Sequence, residues 1–215
     1  MLGDHVTGRG RTWAVGLIAI SFMGFLFAPA PAHATERTAT LVDARGAVNI
    51  ELGPSFVQQM FKAGVFIYGS SDVRLGLGDN LSMQVYFPLN GTSKASPTTV
   101  IKVDRETGGM DFFNGPMGTT AGLAALVVRR TGSTGFITGK LIGPYSMETG
   151  QFAETMPVFA MSSAHTKASG AGWTMTAFLS LTDQGAATLN TLLETNFFQA
   201  GARIGSLNAD VLPTS

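Results

Sequence analysis

Few side chains in this chain are of a type and spacing that could do chemistry. His165 is the only histidine beyond residue 34 and stands in the polar stretch Ser162–Gly170, which reads as a loop. An imidazole there could ligate a metal or act as a base, although a solvated loop residue is the simpler role. A serine hydrolase would need an activated serine, and no G-x-S-x-G elbow occurs. Asp104, Glu106 and Asp111 surround Gly108-Gly109 without the spacing of an EF-hand, and the cluster reads as a solvated turn. Gly76-Leu77-Gly78 lacks the third glycine and the following helix of a dinucleotide loop, and also reads as a turn. With no cysteine, disulfides, thiolate metal sites and cysteine nucleophiles are excluded together. The sequence therefore assigns no catalytic residue, no metal site and no cofactor. A secreted hydrolase ranks third among the functional classes.

The aromatic residues are the remaining clue to binding. Tyr68, Tyr86, Tyr145 and Trp173, with His165 as a polar neighbour, are the candidate lining of an apolar ligand pocket between sheets. Phe112, Phe113, Phe197 and Phe198 could join them, although core packing accounts for most such rings.

Strand signals dominate the elements that must position these residues. Leu81–Phe87 alternates apolar and polar residues up to Pro88, as a half-buried strand does. Ala47–Leu52 puts Val48, Ile50 and Leu52 on one face and Asn49 and Glu51 on the other. Further short strands are expected at Val65–Tyr68, Thr99–Val103, Met110–Phe113, Leu123–Val128, Gly135–Ile142, Pro157–Met161, Trp173–Leu179 and Ala202–Val211, divided by Gly, Pro, Asn and Ser. Two segments have helical spacing. Pro54–Ala63 starts with proline at a first helical position and stops at Gly64, and Thr182–Thr195 starts with a threonine cap. The expected fold is all-β, a mostly antiparallel β-sandwich or open barrel with two short α-helices.

The N-terminus reads as an export signal. Arg9 and Arg11 precede the apolar run Trp13–Ala28, and Ala32-His33-Ala34 supplies an A-x-A cleavage site. Residues 1–34 are thus expected to be a cleaved secretory signal peptide, and 35–215 a single β-rich domain, secreted or held in the periplasm or at the envelope exterior. The membrane would be met only transiently, through the signal peptide. Basic and acidic residues balance at 14 each, with no basic stripe for a phosphate backbone, so nucleic acid is not an expected partner. The expected function is an exported, non-enzymatic binding or cell-envelope-associated module. Its partner would be an unknown protein, an envelope component or a small apolar ligand; the alternative is haem or another flat apolar ligand.

From Ser55 onward the order of elements resembles the HtaA-type domains of exported actinobacterial haem-uptake proteins. The resemblance is carried by Ser55-Phe56 opening a helix, by Val85-Tyr86-Phe87-Pro88, and by Gly-Gly before Met110-Asp111-Phe112-Phe113. It ends with Leu181-Thr182 and a small-residue helix leading to Ala200-Gly201. It implies the fold and the exported setting. The haem-binding residues of that family are missing: its iron-binding tyrosine falls near Gln59 or Met60, its histidine near Thr120, and its second tyrosine at Phe198. Without a tyrosinate oxygen, ferric haem lacks its axial ligand, so the resemblance argues for the architecture and against the family's activity.

Overall fold

A computed structural model describes residues 40–96, 98–104, 108–146 and 150–214. The expected leader, residues 1–34, lies outside the described residues. Eleven strands and two helices follow in the order β1 (Val42–Leu52), α1 (Pro54–Lys62), β2 (Val65–Gly69), β3 (Arg74–Leu77), β4 (Met83–Lys94), β5 (Thr99–Lys102), β6 (Gly109–Asn114), β7 (Thr119–Thr131), β8 (Thr134–Ser146), β9 (Gly150–Ser169), β10 (Gly172–Leu181), α2 (Asp183–Leu193) and β11 (Arg203–Pro213).

The pairings form a ring. The path β7-β5-β4-β1-β11-β10-β9-β8 returns to β7 through the β7–β8 ladder, and every pair is antiparallel. An eight-stranded ring is just wide enough for side chains to fill it. Here Ile50, Phe87, Leu123, Ile137, Phe159 and Met175 do so, each almost fully buried. The all-β fold with two short helices is as expected, and of the two all-β forms it takes the barrel. Three strands lie off the ring: β6 joins β7 and carries β2 on its far edge, while β3 pairs only with β4.

Both helices begin and end for local reasons. Proline opens α1, and the chain leaves it at Gly64 with φ of +75°, a conformation that costs glycine little. Val57 and Met60 turn inward. The Thr182 side chain caps α2 by accepting the Gly185 N–H at 2.9 Å, with Asp183 in the first turn. Ala186, Leu189, Leu192 and Leu193 then join the barrel core.

Four sequence expectations are corrected. Pro88 does not end its strand: β4 runs on to Lys94. It meets β3 through residues 83–86 and β5 through residues 92–94. Among the described residues nothing pairs with that edge at Pro88, so a residue without an N–H is tolerated. Gly76-Leu77 is not a turn but half of β3, made a strand by its pairing with β4. His165 stands in β9 rather than a loop, because the polar run is flanked by β10. Asp111 belongs to β6, paired with Tyr68 and Gly122, rather than to a turn.

Candidate functional site

The sequence-selected residues are spread over the molecule. Trp173 leads the inward face of β10 and is buried in the core with Met175 and Leu179. Tyr145 lies on β8 opposite Gln151, outside the residues whose side chains are described. Tyr68 is exposed on β2. Tyr86 and His165 share one lateral row on the outer wall, Tyr86–Asn49–Asn208–Thr176–His165. Four strand spacings separate them, about 19 Å along the wall. His165 Nε2 meets the Thr176 hydroxyl at 2.9 Å, an arrangement that ties down a surface imidazole. Tyr86 and His165 are thus too far apart along the wall to meet on one small ligand.

An apolar groove lies elsewhere, between α1 and the end of β3. Pro54, Ser55, Val57, Gln58 and Phe61 form one wall, and Leu77 and Leu81 the other, around a volume of about 290 Å³. Its origin is the register of β3. Leu75 lies opposite Val85 and Leu77 opposite Met83, so both leucines point to the side on which β4 faces the core. Among the described residues nothing pairs with the far edge of β3, and the inward face overhangs the barrel. Leu77 is consequently 79% exposed and Leu81 76%.

Leu81 is held there rather than frayed. Asn80 and Leu81 have φ of +57° and +65°, a left-handed conformation that is uncommon for leucine. Gly78 N–H donates to the Ser82 carbonyl at 2.9 Å, and the buried Ser82 hydroxyl donates to the Glu51 carboxylate at 2.9 Å. The apolar strip continues beyond Phe61, whose ring lies 5.7 Å from that of exposed Phe66 on β2. Such a patch is the informative kind of exposed hydrophobic surface. Sequence reasoning read Leu77 as part of a turn and missed it; the run Leu75-x-Leu77 was the available signal.

Other features carry less. Asp111, opposite Tyr68, has its carboxyl held above the usual range by burial, partly offset by a hydrogen bond from Ser70. A polar concavity of about 510 Å³ lies between the ends of the two helices, with Asn114, Asn190 and Glu194 among its lining. Among the described residues no group of three His, Asp or Glu side chains is placed to hold a metal. No described helix is long and apolar enough to cross a membrane.

The positions matching the HtaA-type haem residues do not form a ligand set. Met60 is fully buried and Thr120 is exposed on β7. Gln59 lines a small concavity with Phe56 and Phe197. Phe198 is buried edge-on against Phe112 at 5.7 Å and against Phe197 at 4.9 Å. Phe56 extends this run of rings, 5.4 Å from Phe197.

The fold is similar to that of HtaA-type domains of known structure. The C-terminal domain of HtaA from Corynebacterium glutamicum superposes with a TM-score of 0.53 at 14% identity, covering 79% of this chain and 99% of that one. The haem-binding protein HtaB from the same organism superposes with a TM-score of 0.55 at 11% identity, covering 80% of this chain and 95% of that one. At these identities the likeness is one of fold. No protein-family model matches the chain, and no curated protein sequence does.

Proposed function

We propose that this chain is an exported, non-enzymatic binding module that holds an apolar small molecule in the groove between α1 and β3. One observation carries the reading: Leu77 points to the core side of its sheet and is left uncovered. Fully burying a leucine is worth about 1.5–3 kcal/mol, and an occupant that covers Leu77 and Leu81 gains from that burial. The shared fold with a haem-binding protein supports a binding role, and the sequence leader supports export.

Haem is the second reading, favoured by that shared fold and opposed by the side chains at Met60, Thr120 and Phe198. The test is titration of residues 35–215 with Nile red, a flat uncharged dye. Saturable one-to-one binding with a blue-shifted emission is expected, lost in Leu77→Asp and Leu81→Asp. Binding that survives both substitutions removes the groove from the reading.

A further inference from the structure

The charge and hydrogen-bonding character of the groove narrow its ligand, on the premise that the groove is the ligand site. No ionisable side chain is among its described lining residues. Lys62 follows Phe61 on α1 but is not among that lining, and Glu51 and Arg203 line the neighbouring concavity that shares Pro54 and Ser55. Both are engaged there: the Glu51 carboxylate accepts from Ser82, and the Arg203 guanidinium lies 3.9 Å from the centre of the Phe178 ring. A charged group entering the groove would lose water without gaining a partner, and that costs more than the apolar contacts return.

Two polar side chains do line it. Ser55 and Gln58 are three apart on α1, with Phe61 three further on, so all lie along one side of the helix. Neither side chain makes a hydrogen bond among the described residues. The amide of Gln58 both donates and accepts, as does the hydroxyl of Ser55. An apolar site with a few unused polar groups is one that orients a ligand through them.

We infer that the occupant is an uncharged apolar molecule bearing a carbonyl or hydroxyl group, and that Gln58 is the residue that sets this preference. The carbonyl or hydroxyl meets the Gln58 amide while the remainder lies on Phe61, Leu77 and Leu81. An anionic ligand of the same size is disfavoured because no cation is among the described lining residues.

Two dyes of similar size test this. Nile red is uncharged and carries a carbonyl, and 1-anilinonaphthalene-8-sulfonate is an anion. Titrated fluorometrically into residues 35–215, Nile red should bind at least tenfold more tightly. Gln58→Lys, which supplies a cation, should narrow or reverse that ratio, with the far-UV circular dichroism unchanged. Equal affinities in the parent chain, or a ratio that Gln58→Lys leaves in place, would overturn the role given to Gln58. If Leu77→Asp still abolishes Nile red binding in that case, the groove remains the ligand site and only the charge preference falls. If neither dye saturates, the groove reading fails with it.

Discussion

Leu77 and Met83 face each other across the β3–β4 ladder and point to the same side of the sheet, yet Leu77 is 79% exposed and Met83 only 7%. The difference is one of position in the sheet. Met83 lies on a ring strand with the core beneath it, whereas Leu77 lies on an outer strand with a free edge. A soluble surface usually breaks such an edge with charge, proline or a bulge; here Arg74 is the one charge in β3, at its start. The apolar surface is kept open.

This relationship has a direct consequence for stability. Leu77→Asp should change the unfolding free energy by less than about 0.5 kcal/mol, as surface substitutions do. Met83→Ala should cost about 2–5 kcal/mol, the range for a truncated core methionine. Urea midpoints for the two variants check this. A Leu77→Asp loss as large as that of Met83→Ala would mean that the groove is packed shut.

The second helix gives a paired test. Leu189 is fully buried in the core formed with the barrel, and Gln58 is exposed on α1. Leu189→Ala should cost about 2–5 kcal/mol, and Gln58→Ala less than about 0.5 kcal/mol. Similar small losses would make α2 peripheral. At the start of the same helix, the Thr182 hydroxyl donates to the Pro157 carbonyl at 2.6 Å and accepts from Gly185 N–H at 2.9 Å. Thr182→Ala removes both the cap and the tie to β9, with an expected loss of about 1–2 kcal/mol. Thr182→Ser should recover most of it.

Much of this was legible in the sequence, and the omissions share one cause. The strand at Ala47–Leu52 and both helices announce themselves through periodicity and capping residues. By contrast, only Pro157–Met161 of the twenty-residue β9 could be read, because Ser162–Ser169 lacks alternation and is extended by its partner β10. Gly76-Leu77-Gly78 reads as a turn until β4 is beside it. The groove shares that invisibility: an apolar residue at an alternating position reads as core unless the free edge of its strand is known.

Asp111 sets a pH dependence. Burial raises its carboxyl above the ordinary value of 3.8 in the folded protein, and the Ser70 hydrogen bond opposes this in part. The folded state therefore binds the proton more tightly than the unfolded chain. Its stabilising contribution is complete below the unfolded value and is lost as pH rises through the raised folded value. Asp111→Asn should flatten that part of the stability profile, measured as urea midpoints from pH 3 to 7. Ser70→Ala should move the fall to higher pH. A variant profile parallel to that of the parent would remove Asp111 as its source.

Haem separates the proposed function from its alternative. Tyrosinate coordination needs a phenol oxygen that a ligand in the groove can reach. Met60 and Phe198 supply none, and Thr120 is a weakly coordinating hydroxyl. Tyr86 and His165 share the outer row of the barrel but stand four strand spacings, about 19 Å, apart along its wall. Of the tyrosines whose side chains are described, Tyr68 is the one that adjoins the apolar strip, two residues along β2 from Phe66, which packs against Phe61. Titration of residues 35–215 with haemin should accordingly give a broad Soret band without a tyrosinate charge-transfer band. Metal-free protoporphyrin should bind no more weakly than haemin, because the iron contributes nothing. A sharp charge-transfer spectrum with one-to-one saturation, abolished by Tyr68→Phe, would reverse the conclusion and make Tyr68 the iron ligand of a haem carrier.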